Sequence, residues 1–562
     1  MRYSFSEWTK SGAPWVWLNA GAVAISLIMV VGLLSLIAVR GLGHFWPADI
    51  YQADYTQNDN TTRLVGERVQ TELISAEQLR DSGVTVPEGV FEMPRTLIKI
   101  GNRDHGGTDF IWVLDDHLSN QTQPEMLFAA ERREWGNFYG YLRGLKENGE
   151  LVAQHDGYEV TPEYMALWDQ FQQRIDRALT IYDQIKAIEK GDIGAINYEL
   201  ERLRLRERAM ELKGITDPAR MQEITDRRQA LDADYQQLQT ELLELYNAFN
   251  RDTVVAEIAS GKVVEFRIAS VVRAFLPNKM HLGNKLVHYA AKLWEFVSDE
   301  PREANTEGGI FPAIFGTVLM VIIMSVIVTP FGVIAAVYLR EYAKQGFVTR
   351  IIRIAVNNLA GVPSIVYGVF GLGFFVYFLG GHIDDAFFAE AKPAPTFGTP
   401  GLMWASITLA LLTLPVVIVA TEEGLTRIPR AIREGSLALG ATKFETLMKV
   451  VIPMASPAIM TGVILAIARA AGEVAPLMLV GVVKLAPSLP LDTNYPFLHL
   501  DQKFMHLGFH IYDVGFQSPN VEAARPLVYA TALLLVAVIA LLNLSAIAIR
   551  NHLREKYKAL EM

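Results

Sequence analysis

Arg469 and Glu473 are the only charged residues in the apolar stretch Ala455–Val480. On an α-helix their spacing puts both on one face, one turn apart. A guanidinium offers two parallel N–H donors that match a carboxylate or an oxyanion. A charge at mid-bilayer depth costs about 2.5–3.5 kcal/mol on insertion scales, so its presence there needs a reason. Two reasons suit this pair. The residues could neutralise each other until an entering anion takes the Arg469 donors, leaving Glu473 to repel it or accept its proton. They could instead form an ion pair that only fixes helix packing. Gly472 and Pro476 permit local unwinding, which would free backbone N–H groups for an anion.

A second constellation lies in residues 421–454, which hold Glu434, Gly435, Ser436, Gly440 and Pro453. Arg433–Ala438 reads as a short helix, Gly440 as its stop and Thr442 as the start of another. The small residues at 435 and 436 let a partner's surface come close. Pro453 is expected to break the chain just before the next apolar run. A helix–Gly–helix element of this kind suits docking into a groove of another protein. Gly435-x4-Gly440-Ala441-Thr442 mimics half a phosphate loop, but it lacks the Lys that would reach the phosphates, and no strand precedes it. No ATPase is expected in this chain. His105-Gly-Gly-Thr-Asp109 reads as a polar turn, because no second ligand pair has metal-like spacing. Zero Cys excludes disulfides, Fe–S clusters and thiolate zinc sites.

These residues need elements to hold them. The chain has 562 residues, 51% hydrophobic and 20% charged. Its mean hydropathy is positive, at +0.20. That average hides a division. Residues 40–309 carry 31 Lys/Arg and 45 Asp/Glu, against 51 and 61 in the whole chain. Such an acidic balance argues against nucleic acid as a partner. Uncharged runs at 15–39, 310–339, 355–379, 401–421 and 527–549, with the run holding Arg469, make six candidate spans. The first reads as an uncleaved anchor, too long for a signal peptide. With the N-terminus inside, the cytoplasmic pieces 1–14, 340–354, 421–454 and 550–562 hold 15 basic and 8 acidic residues. The opposite short loops hold 4 and 7. The positive-inside rule therefore favours both termini in the cytoplasm and 40–309 on the far side.

Within 40–309, Thr96–Ile100 and Phe110–Leu114 read as strands. Leu167, Phe171, Ile175, Ala178, Tyr182 and Ile185 step by three and four residues, as do Leu231, Tyr235, Leu238, Leu242, Leu245 and Phe249. Such seams predict an antiparallel, coiled-coil-like helical arm over 162–250. After it, 254–258 and 263–268 flank Ser260-Gly261 as a hairpin. The strands on either side of the arm are expected to share one sheet. The fold class expected is an α-helical polytopic membrane protein with an inserted α+β domain.

The 421–454 loop resembles the EAA loop of ABC importer permeases: Glu-Ala-Ala, three residues, Gly, nine residues, then Ile-x-Leu-Pro. Glu434, Gly440 and Pro453 match in type and spacing, with Val450 and Ile452 as conservative matches. Gly435 and Ser436 replace the two alanines. Residues 310–550 as a whole resemble the PstA family of phosphate-uptake permeases. The resemblance rests on Leu359-Ala-Gly-Val-Pro-Ser-Ile-Val-Tyr-Gly368, Thr421-Glu-Glu-Gly and Ala468-Arg469-Ala-Ala-Gly472-Glu473-Val-Ala-Pro476-Leu. It implies a type I ABC importer permease fold, with 310–549 as a five-helix core and 421–454 as the loop that couples to an ATPase. It also implies a bacterial inner-membrane location and work alongside a PstC-like permease, a PstB-like ATPase dimer and a PstS-like periplasmic phosphate-binding protein. No cofactor is expected in this chain, and ATP-Mg would belong to the partner ATPase. The 40–309 domain lies outside the resemblance. A transmembrane sensor using that domain, a secondary transporter, or a permease for another oxyanion are the competing readings.

Overall fold

The computed structural model describes residues 11–57, 60–81, 86, 89–518 and 521–557. The expected cytoplasmic ends therefore fall partly outside the described residues, at 1–10 and 558–562. The chain forms two compact units. One comprises the residues up to Phe45, Ile310–Phe388 and those from Pro393 onward. The other comprises Trp46–Gly309 with Ala389–Lys392.

Helix α1 (Ala13–Gly43) has its only charge, Arg40, in its last turn. The Trp46–Gly309 unit follows. Strands β1 (Ile50–Gln57), β2 (Asn60–Ser75), β3 (Glu92–Lys99), β4 (Phe110–Leu114) and β5 (Leu118–Thr122) form an antiparallel sheet in the order β4-β3-β2-β1-β5. Strands β6 (Leu127–Arg132), β7 (Phe138–Glu147) and β8 (Glu150–Gln154) precede the helical arm. Strands β9 (Asp252–Glu257), β10 (Val263–Arg267) and β11 (Val271–Phe275) follow it. All six join one sheet, ordered β10-β9-β7-β6-β11 with β8 paired to β7. Val254 lies opposite Leu145, so strands from either side of the arm meet in register. Every residue of β6 is buried, as expected of a strand covered on both faces.

The arm comprises α2 (Pro162–Lys186), α3 (Ile193–Leu212) and α4 (Pro218–Phe249). Thr161 and Asp217 cap the starts of α2 and α4 with their side chains. The two apolar seams have different partners. Leu167, Phe171, Ile175 and Ala178 of α2 are buried in the core of the second sheet, with Phe128, Phe138 and Leu142. Leu231, Tyr235 and Leu238 of α4 instead pack on Ile196, Leu200 and Leu203 of α3. The seam of α2 thus serves mainly the sheet core, but its far end meets α4 as the periodicity predicts, Tyr182 stacking on Phe249 with ring centroids 6.0 Å apart. Helix α5 (Leu282–Ser298) follows, and the short strand pair Pro301–Arg302 with Glu307–Gly308 precedes Gly309.

Six helices among the described residues are long and apolar enough to cross a membrane: Pro14–Gly43, Phe311–Tyr342, Ser364–Phe387, Leu402–Arg427, Lys443–Gly472 and Ala524–Glu555. The helices after α5 include α6 (Phe311–Val337), α7 (Phe347–Leu359), α8 (Ser364–Phe370), α9 (Leu402–Arg427), α10 (Arg430–Ala438), α11 (Lys443–Thr446), α12 (Ile452–Gly472), α13 (Leu477–Val480), α14 (Leu507–Tyr512) and α15 (Val521–Tyr557). Helix α9 is central, packing on both α6 and α12. Small residues bring these helices close. A Cβ on Gly424 would lie 2.5 Å from the Ala458 Cβ, and one on Gly462 would lie 2.7 Å from the Ala420 Cβ.

The span boundaries differ from the sequence reading in two places. The third span starts at Ser364, because Phe347–Leu359 is a separate helix ended by the turn before Pro363. The fifth runs from Lys443 to Gly472 and does not continue to Val480. Pro453 does not break the chain. It sits in the first turn of α12, directly after a π-helical turn over Leu447–Val451. There the Ile452 N–H reaches back to the Leu447 carbonyl, a wider ladder that lets a residue without an N–H follow without ending the helix.

Candidate functional site

Arg469 lies in the last turn of α12, so it stands at the end of its span and not halfway along it. Glu473 caps that helix with φ −81° and ψ 128°, outside helical geometry. The chain unwinds at Glu473–Ala475 and resumes as the single turn α13 after Pro476. Hydropathy stays high through the break, which is why the apolar run reads as continuous. Arg469 Nε and Glu473 Oε1 are 3.6 Å apart, with the side chains 31% and 23% exposed. That separation makes the pair an ionic contact and not a bidentate hydrogen bond.

The break is held tightly from one side. A Cβ on Gly368 would lie 2.7 Å from the Pro476 Cα, and one on Gly371 would lie 2.4 Å from Thr408 Oγ1. Only glycine allows this approach. The two stretches 359–368 and 468–477, far apart in sequence, therefore meet at one place. Tyr367 donates its hydroxyl to the Leu359 carbonyl at 2.6 Å and lies within electrostatic reach of Arg469. Behind the break sits His506, which the sequence reading missed. Its Nδ1 accepts the Gly508 N–H at 3.1 Å. A Cβ on Gly508 would lie 2.5 Å from Val474 Cγ2. Burial pushes the imidazole down to about 4, so it is neutral at ordinary pH. No sequence periodicity marks His506, because its neighbours come from a loop.

The 421–454 element is built as two short helices around a left-handed turn. Glu434, Gly435 and Ser436 lie on α10, a helix with no buried residue. Gly440 has φ +87°, the conformation that ends a helix and that glycine adopts at least cost. The Gly440 N–H donates to Leu437 O and the Ala441 N–H to Ser436 O. Thr442 then caps α11 in a reciprocal box with Glu445. That Thr-x-x-Glu signal was readable from the sequence. Ser436 Oγ and Thr446 Oγ1 are 2.9 Å apart and tie the helices together. Arg433 anchors the element to the second span through Glu341 at 2.9 Å and to the end of the fourth through the Ile428 carbonyl at 2.7 Å. The outer surface is apolar. Leu439 is 91% exposed, Phe444 65% and Met448 51%. A Cβ on Gly435 would meet nothing within 4 Å, so the space beside it is open in this chain.

Other polar residues near the spans and in the 40–309 domain lie apart from the break. Glu422 of α9 pairs with Arg353 of α7 at 3.1 Å. Asn357 and Asn358 are exposed near the end of α7. His105 and Asp109 belong to a polar turn: Asp104 holds Arg132 through two hydrogen bonds of 2.7 and 3.0 Å, and Arg103 pairs with Glu303. No group of three or more His, Cys, Asp or Glu among the described residues is arranged to hold a metal ion.

Comparison with known proteins adds to this geometry. The family described as binding-protein-dependent transport system inner membrane component matches residues 328–559, which include both the break and the 421–454 element. The phosphate transport system permease protein PstA 1 of Mycobacterium tuberculosis (strain ATCC 25618 / H37Rv) is 37% identical over 245 residues, covering 43% of this chain and 70% of that protein. The chain belongs to this permease family. Within it the chain is PstA-like and a multi-pass membrane protein. The probable ABC transporter permease protein YqgH of Bacillus subtilis (strain 168) is 33% identical over 194 residues, 34% of this chain and 59% of YqgH. The chain thus spans about three fifths of one relative and seven tenths of another. An inward-facing MetNI methionine ABC transporter structure aligns over 43% of this chain and 94% of its own at 18% identity, with a TM-score of only 0.31.

Proposed function

We propose that this permease is the membrane-spanning subunit of an ATP-driven importer of inorganic phosphate. The observation that carries this reading is the 430–446 element, a helix–Gly–helix unit with an open apolar surface inside the family-matched region. A partner ATPase, binding ATP-Mg on its own chain, would seat Leu439 and Phe444 in a groove and come close beside Gly435. Movement of that ATPase would reach the spans through Arg433 and Glu341 and through the unbroken helical run from Lys443 to Gly472, at whose far end Arg469 stands. An anion at the break would draw on the Arg469 donors, while Glu473 disfavours a second negative charge beside it. The phosphate assignment is supported by relatives named as phosphate permeases. By the same resemblance the companions are a PstC-like permease, a PstB-like ATPase dimer and a PstS-like binding protein. Both termini would lie in the cytoplasm and residues 40–309 in the periplasm, following the distribution of basic residues.

The test is reconstitution. Proteoliposomes holding the companion permease, ATPase and binding protein should take up radiolabelled phosphate only when this subunit is present, and the ATPase should co-purify with it. Uptake independent of the subunit, or no association with any ATPase, would overturn the proposal.

A further inference from the structure

Helix α5 (Leu282–Ser298) is built inside out. A surface helix of a globular domain normally turns its apolar stripe inward and its charges to water. Here Lys285, His288, Lys292 and Glu295 face the domain, with Phe296 the one buried apolar side chain among them. Lys285 pairs with Asp49 at 2.5 Å, Lys292 with Glu131 at 2.8 Å, and Glu295 with Arg302 at 2.7 Å. His288 is buried against Phe275, with ring centroids 4.4 Å apart. The opposite face is Leu282, Leu286, Val287, Ala290 and Trp294. Leu282, Val287 and Trp294 are 69–71% exposed. At roughly 100° per residue these five cover a continuous arc of about 140°. The helix has 17 residues and carries charge, so it is no membrane span.

Its tether says what covers the stripe. The first span ends at Gly43, and only His44 and Phe45 separate it from Trp46. Trp46 lies against Tyr289 of α5, ring centroids 5.9 Å apart. Asp49, a few residues on, holds Lys285. At about 3.5 Å per residue, the linker leaves the flank of α5 within roughly 15–20 Å of the end of a membrane helix. An amphipathic helix with outward Leu, Val and Trp, flanked by Trp and Tyr and held at that distance, has the composition of an interfacial helix.

We propose that the outward face of α5 lies in the headgroup region of the bilayer leaflet where α1 ends, and so fixes the Trp46–Gly309 unit to the membrane surface. The partner is lipid, met by apolar burial, with the charged face turned away from it.

The natural absence of Cys allows a direct test on the full-length chain in vesicles of phosphatidylethanolamine and phosphatidylglycerol. Single Val287→Cys, Ala290→Cys and Trp294→Cys variants would carry a nitroxide spin label, with Glu223→Cys on the arm as a control. All four sites are exposed, so labelling leaves the fold intact. At 287, 290 and 294, collision with lipid-soluble oxygen should exceed collision with a water-soluble nickel chelate several-fold, and at 223 the order should reverse. Two results would overturn the proposal. One is an aqueous pattern at 287, 290 and 294, with the stripe in water. The other is exclusion of both reagents, which would mean that another protein surface covers the helix.

Discussion

At Arg469 two roles remain to be separated, and substitution separates them. If the guanidinium meets the anion, Arg469→Ala should reduce phosphate uptake by at least about tenfold, the equivalent of one strong polar contact, with complex assembly retained. Arg469→Lys should recover little, because an ammonium is a point charge without the planar fork. The double change Arg469→Met with Glu473→Leu discriminates further. A packing pair is often replaceable by apolar residues, so normal uptake by a well-assembled double variant would remove both residues from the substrate path. Another residue-scale prediction concerns acid. Burial alone would raise the Glu131 carboxyl, but Lys292 and Arg273 outweigh it and hold it down at about 2. Its stabilising contribution is present above about pH 4.5 and is lost as pH falls toward 2. Burial pushes His288 down to about 4, so the unfolded chain takes up this proton first and stability falls between pH 6.5 and 4. The Tm of a 48–300 fragment should therefore drop on acidification from pH 7, by roughly 2–4 °C for each kcal/mol lost. His288→Gln should flatten the curve between pH 6.5 and 4. An unchanged slope in that variant would contradict the assignment.

Among elements, the turn at Gly440 carries the sharpest expectation. A β-branched residue at φ +87° is strained by about 1–2 kcal/mol before any partner arrives. Gly440→Val should therefore abolish coupled transport while the six spans still insert, measured as lost ATPase co-purification from membranes holding normal amounts of the chain. The element itself was legible in the sequence, because its signals are local: Gly440 as a stop and Thr442 as a cap. The β9–β10 hairpin was legible for the same reason, whereas β3 and β4, named in the sequence, join the first sheet and not the one that the strands after the arm enter. What was not legible depended on partners distant in sequence. The period of α2 shows that one face is apolar, but not that a sheet covers most of it and α4 only the end at Tyr182. The apolar run through Arg469 hides the break at Glu473, since hydropathy does not report backbone dihedrals. Residues 355–359 merge with the next span in the sequence, although they belong to the separate helix α7. Helix α5 was missed because its inverted faces have an ordinary composition.

For the whole molecule, the division into two units predicts that the inserted domain is autonomous. A 48–300 fragment should unfold cooperatively and show mixed helix and strand by circular dichroism, since it contains the five- and six-stranded sheets and the main core. A disordered spectrum would refute this. The proposed sidedness is checked by placing a Cys at Asn120, an exposed site in β5. An impermeant thiol reagent should label it only from the periplasmic side, and labelling only from the cytoplasm would reverse the topology. One further consequence concerns synthesis on the ribosome. Helix α1 touches the rest of its unit at Gly41, where a Cβ would lie 2.8 Å from the Ala530 backbone nitrogen of the last span, and its apolar window has no buried residue. That partner is translated roughly 490 residues later, which at about 5–20 residues per second is a wait of roughly 25–100 s. Until then α1 must survive in lipid without that partner while the inserted domain, periplasmic on the proposed topology, is made and folds. A chain stopped after residue 309 should therefore remain an alkali-resistant membrane protein, and Gly41→Leu should leave that truncated product unharmed while impairing only the completed chain.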